Sequence, residues 1–170
     1  MNEALWTPEK ARAAQTTLGV FSAWMSSRTG KALMDYDSLH RFSTDNVAEF
    51  WSALWDFAQM VGDKGEPPYL VDANRMPGAG FFPAARLNFA ENLLRKSGGD
   101  AALVFWGEDK VKRRLTWDEL REEVARAAQA LREAGVTAGD RVAAMLPNMP
   151  EAIVSVLAVA SIGAVWSSCS

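Results

Sequence analysis

The sequence is poor in the residues that build metal and disulfide sites. One cysteine, Cys169, and one histidine, His40, occur among 170 residues. A lone cysteine forms no internal bridge, and with no Cys/His cluster a disulfide framework and a zinc module are both excluded. An excess of positive charge is also missing, since 18 Lys and Arg stand against 21 Asp and Glu for a net charge of -3. Nucleic-acid binding draws on a basic stripe that this balance does not supply. No Asn-x-Ser/Thr acceptor occurs, and Met1–Arg12 carries Glu3 and Glu9 without the apolar core of a signal peptide. The longest apolar stretch, Ala152–Trp166, is interrupted by Ser155, Ser161 and Gly163, short of the ~20 residues a membrane span needs. These absences point to the cytoplasm, with no nucleic-acid partner and no membrane.

What is present suits a globular chain: 49% of the residues are hydrophobic, and a chain of this length buries enough surface without cross-links. In the first hundred residues the pattern is helical. Thr7-Pro8-Glu9 reads as a helix start, with Ala11, Ala14, Leu18, Phe21 and Met25 on one face and Gly30 as the stop. Asp35–Phe42 reads as a turn or short helix. A second helix is expected from Thr44-Asp45 to Gly62, with Val47, Trp51, Leu54, Ala58 and Val61 along one face and Phe50 and Trp55 beside it. The breaker run Asp63–Pro68 precedes a short extended piece, Tyr69–Asp72. Met76–Pro83 holds two glycines and two prolines among aromatics and is expected as an ordered, irregular loop. Leu87–Lys96 then reads as a short helix.

From Ala101 the pattern changes. Ala101–Trp106 and Val111–Leu115 read as strands about a Gly107–Lys110 turn, the second an edge strand because of Lys112, Arg113 and Arg114. Thr116-Trp117-Asp118-Glu119 is a capping box opening a helix with Leu120, Val124, Ala127, Leu131 and Ala134 on one face, closed by Gly135. Arg141–Leu146, a helix from Pro150 to Ile162, and Ala164–Ser168 read as strand, crossover helix and parallel strand, the strands expected to be buried on both faces. The expected fold is α/β: a helical N-terminal region, 1–99, followed by the truncated start of a doubly wound domain, 100–170.

Candidate chemistry is sparse. Gly78–Pro83 begins like a dinucleotide loop but lacks the third glycine and the strand–helix setting. Ser26–Ala32 fails the phosphate-loop pattern at Met25 and Ala32 and ends a helix, where carbonyls repel phosphate. His40 and Cys169 have no partners in their segments, and Lys110–Arg114 is balanced by Glu108, Asp109, Glu119 and Glu122. Arg75, Arg86, Asn88, Glu91 and Asn92 form a polar group among aromatics, read as a hydrogen-bonding network fixing the glycine–proline loop to the next helix, with a ligand phosphate or carboxylate as the alternative. No catalytic, cofactor-binding or metal-binding residue follows from these patterns.

A resemblance adds to this reading. Arg75–Leu94, RMPGAGFFPAARLNFAENLL, resembles the N-terminal signature of acetoacetyl-CoA synthetases, as do Glu49–Trp55 and Asp35–Leu39. Leu115–Leu120, Gly135–Val142, Leu146–Ala152 and Gly163–Ser170 are similar too, the middle stretches more broadly to adenylate-forming enzymes; acetate-using relatives tend to carry His where Trp166 stands. The resemblance implies an N-terminal cap and the opening of an AMP-binding domain in an enzyme that joins acetoacetate, or a similar short acyl acid, to coenzyme A. ATP first converts the carboxylate, a poor electrophile, to an acyl-adenylate with release of diphosphate, and the CoA thiol then displaces AMP, with Mg²⁺ offsetting the polyphosphate charge. It places the phosphate-binding loop, the pockets and a catalytic lysine in the remainder of the chain, so this segment is expected to be inactive alone and to hold none of ATP, CoA or Mg²⁺. The alternatives are an acetyl- or propionyl-CoA synthetase fragment and a non-catalytic α/β interaction module.

Overall fold

The computed structural model describes residues 6–108 and 110–169, so Glu3, Asp109 and Ser170 of the readings above lie outside it. The chain divides into two compact units between Ala85 and Arg86, ahead of the change of sequence pattern at 99/100.

In the first unit the expected single helix is two. α1 (Lys10–Ala14) stops and α2 (Thr17–Thr29) restarts, because Thr16 accepts a bond from the Gly19 amide at 3.1 Å and donates one to the Ala13 carbonyl at 2.7 Å. A Cβ on Gly19 would sit 2.4 Å from that carbonyl oxygen, so only glycine lets the two pieces fold this closely. The break also turns the face, leaving Leu18 exposed while Phe21, Ser22 and Met25 are buried. Gly30 closes α2 in the left-handed region, as its position suggested. α3 (Tyr36–Asp45) is opened by a reciprocal Asp35–Ser38 capping box and takes in the Thr44-Asp45 pair expected to begin the next helix. α4 (Val47–Phe57) follows and is shorter than expected. Its core face is Phe50, Ala53, Leu54 and Phe57, packed on Phe21, Met25, Leu33, Leu39 and Phe42. The Phe21 ring lies 4.9 Å from Phe57 and 5.7 Å from Phe50. The two-residue strands β1 (Leu70–Val71) and β2 (Gly80–Phe81) pair antiparallel, so the glycine–proline loop contains a regular piece that its composition concealed.

The second unit begins with α5 (Phe89–Leu93). Asn88 explains why this helix belongs to it: its side-chain oxygen accepts from the Glu91 amide at 3.1 Å, and its amide donates to the Ala160 carbonyl at 2.9 Å. β3 (Ala101–Gly107) and β4 (Val111–Thr116) form an antiparallel hairpin, and the Thr116–Glu119 capping box opens α6 (Trp117–Glu133) as the sequence indicated. β5 (Arg141–Met145), α7 (Pro150–Ile162) and β6 (Val165–Cys169) form the expected parallel unit, with Arg141 opposite Val165 and Met145 opposite Cys169. Ala90 of α5, Leu120, Val124 and Ala128 of α6, and Val154, Leu157 and Ala158 of α7 form one core. The expectation of strands buried on both faces is corrected. Arg141, Ala143 and Met145 are exposed in alternation, Met145 at 79%, and so is Val165, so one face of the β5–β6 pair is open.

Arg113 ties the hairpin to both helices. Its guanidinium reaches Glu123 of α6 at 2.6 Å and Glu151 of α7 at 2.5 Å, which departs from the solvated edge its basic neighbours suggested. Burial pushes this guanidinium down and the two carboxylates more than offset it, so its pKa is raised overall.

Three tests follow from this packing. Asn88→Ala removes a cap and an interhelical donor and lowers the stability of the second unit by about 2 kcal/mol in urea unfolding, whereas Asn88→Ser, which keeps an N-cap acceptor, recovers about half of it. Arg113→Met leaves two carboxylates without their cation at half-exposed positions and costs about 1–2 kcal/mol by the same measurement. Hydrogen bonds hold three carboxylates, two in helix capping boxes and one in the turn before β5, below their ordinary range: Asp35 by the Ser38 hydroxyl and amide, Glu119 by the Thr116 amide and hydroxyl, and Asp140 by the Thr137 amide and hydroxyl. A depressed folded pKa contributes stability that is complete above the unfolded value, near pH 4, and is lost as pH falls through the folded values. The urea midpoint therefore declines below about pH 4, and Glu119→Gln flattens that decline.

Candidate functional site

In a parallel β–α–β unit the position for chemistry is the crevice beyond the carboxyl ends of the strands. Here that edge is formed by Met145, Cys169 and the start of α7. The Leu146 amide donates to the Cys169 carbonyl at 3.1 Å, extending the ladder past β5, and Pro150 at the first helical position starts the helix. Met149 supplies no side-chain cap. The first turn carries Glu151, whose carboxylate faces Arg113. An acidic group there works against a phosphate, so this helix start does not read as an ATP phosphate site. A cavity of about 340 Å³ lies beside it, between Trp106 of the hairpin and Asn148, Met149 and Ile153.

The residues singled out in the sequence come apart. Arg75 pairs with Asp72 at 3.3 Å on the surface of the first unit. Asn88 and Asn92 serve α5 in the second, Asn92 donating to the Asn88 carbonyl at 3.0 Å. Asn88 anchors α5 to α7 through the Ala160 carbonyl. Within Ser26–Ala32, the Ser26 and Thr29 hydroxyls donate to the Ser22 and Met25 carbonyls, and the segment ends a helix. His40 lies stacked on Tyr36 at 5.7 Å. Cys169 is exposed. Lys112 sits 4.6 Å over the Trp106 ring. Trp166 lines a groove of about 380 Å³ with Val142, Ala144 and Val159. Among the described residues no group of three or more His, Cys, Asp and Glu gathers where it could hold a metal.

Sequence reasoning missed an apolar cleft of about 540 Å³ in the first unit. α4 and its C-cap Ala58 supply one wall, with Trp51, Leu54 and Trp55 from the helix, and Met60, Phe81 and Phe82 supply the other. Trp55 and Phe82 lie 5.1 Å apart, and Trp51 meets Phe81 edge to face at 6.0 Å. The Trp51, Leu54 and Ala58 stripe read as a core face of α4 is in part this wall. The signal was the excess of aromatics over what one core face of an eleven-residue helix accommodates.

Comparison with known proteins supplies what the geometry lacks. Residues 89–170 match the family described as AMP-binding enzyme. The acetoacetyl-coenzyme A synthetase of Rhizobium meliloti is 54% identical over 98% of this chain, which covers 25% of that protein, and the acetoacetyl-CoA synthetase of Macaca fascicularis is 37% identical over 99%, again covering 25%. The solved acetoacetyl-CoA synthetase of Streptomyces lividans superposes with a TM-score of 0.88 at 40% identity, over 99% of this chain and 26% of that one. The chain thus spans about a quarter of the length of the relatives it matches. Along nearly its whole length the chain is similar to acetoacetyl-CoA synthetases, and its residues 89–170 match the AMP-binding enzyme family.

Proposed function

We propose that the chain is the opening quarter of an ATP-dependent acid–CoA ligase that forms acetoacetyl-CoA, AMP and diphosphate from acetoacetate, ATP and CoA through an acyl-adenylate, and that it acts in the cytoplasm. The observation that carries this reading is 54% identity to the Rhizobium meliloti enzyme across 98% of the chain. Among the described residues no helix is long and apolar enough to cross a membrane, which accords with the proposed location. In this reading residues 1–99 are a cap region and residues 100–170 begin the AMP-binding domain, with α5 joined to the latter by the Asn88 anchor. ATP, CoA and Mg²⁺ are bound by the remainder of the ligase, where the activation of the carboxylate takes place.

What these 170 residues contribute is a frame. Arg113, Glu123 and Glu151 fix the start of α7 against the hairpin and α6, and the β5–β6 pair offers its lateral edges to further strands and its open face to a covering layer. A malonamoyl-CoA synthetase of Penicillium aethiopicum is 32% identical over 99% of the chain, so the same frame serves a different acid in that relative.

The test is a chimera in which this chain replaces the matching quarter of the Rhizobium meliloti enzyme. The expected result is ATP- and CoA-dependent acetoacetyl-CoA formation within about tenfold of the parent, and none by the 170-residue chain alone. A folded chimera without activity, or activity of the isolated chain, contradicts the proposal.

A further inference from the structure

The cleft on α4 has a composition unlike that of a substrate site. Small-molecule pockets combine apolar walls with a few polar groups that fix orientation. No charged side chain lines this one, and its walls are aromatic rings, Leu54, Ala58 and Met60. The substrates of the proposed reaction carry carboxylate or phosphate charges, which such walls do not stabilise. The backbone is also arranged at some cost to make the cleft. Phe82 has φ 47°, a left-handed conformation disfavoured for a bulky residue, held by its amide donating to the Tyr69 carbonyl at 2.9 Å and by its ring between Trp55 and Tyr69. Trp51 and Phe81 at the rim remain 42% and 49% exposed. A contiguous exposed aromatic patch of this kind marks a protein contact.

We infer that this cleft is the seat of an apolar segment from the remaining three quarters of the ligase, whose side chains lodge against the Trp51–Phe81 and Trp55–Phe82 ring pairs that line it. The inference rests on the ligase reading above. Its support beyond the chemistry of the walls is the length of protein that accompanies this same fold in the Streptomyces lividans enzyme: the superposition covers 99% of this chain and only 26% of that one. A fold kept intact beside three times its own length of protein has that protein as the first candidate to cover its apolar surface.

The experiment places a thiol on the cleft wall. Ala58→Cys, with Met60→Cys as a second site should the first not fold, is made in the 170-residue chain and in the chimera. Alkylation by N-ethylmaleimide is followed by peptide mass mapping. The expected result is alkylation at least about tenfold slower in the chimera than in the isolated chain, at both sites. Equal rates in a chimera that makes acetoacetyl-CoA overturn the cleft assignment and leave the ligase reading standing. An inactive chimera that still protects residue 58 supports docking while counting against the ligase reading, and an inactive chimera without protection overturns both. Slow alkylation of the isolated chain that speeds up on dilution shows a second copy in the cleft and also overturns the assignment.

Discussion

Two parallel strands cannot be joined by a tight turn, and the second unit is organised around that constraint. β5 and β6 pair only because α7 crosses between them, and α7 is so apolar that it forms only if it is covered. α6 covers one side of it and α5 another, which draws a short helix preceding the hairpin into the same body through the bond from Asn88 to the Ala160 carbonyl. The Arg113 pairs then add the hairpin to the same assembly. Hairpin, crossover and sheet edge therefore depend on one buried helix.

Local signals were readable and long-range ones were not. The Thr116–Glu119 capping box, Gly30 and the order of strand, helix and strand after Arg141 all act within a few residues, so composition and spacing exposed them. The break at Thr16 was hidden because apolar spacing continues on either side of it, and the Asp35 box was hidden because serine replaces the glutamate usual at its fourth position. Arg113 looked like its basic neighbours in sequence. Only the fold brings Glu123 and Glu151 to it.

The same distinction explains the site. No spacing of catalytic residues was found in the sequence. The familial signature around Phe81 and Phe82 turned out to be architectural: it builds a two-stranded ribbon and one wall of an apolar cleft. Two open surfaces are conspicuous, the apolar cleft and the uncovered face of β5–β6, where Ala143, Met145 and Val165 stand beside Arg141 and Ser167. The proposed ligase accounts for both, because further protein would cover them there.

That explanation is tested most directly in the source genome, by reading the frame beyond the codon for Ser170. The account predicts that it continues for about three further lengths of this chain and contains a phosphate-binding loop. A stop codon there, in a transcript translated as a stable 170-residue protein, would contradict it.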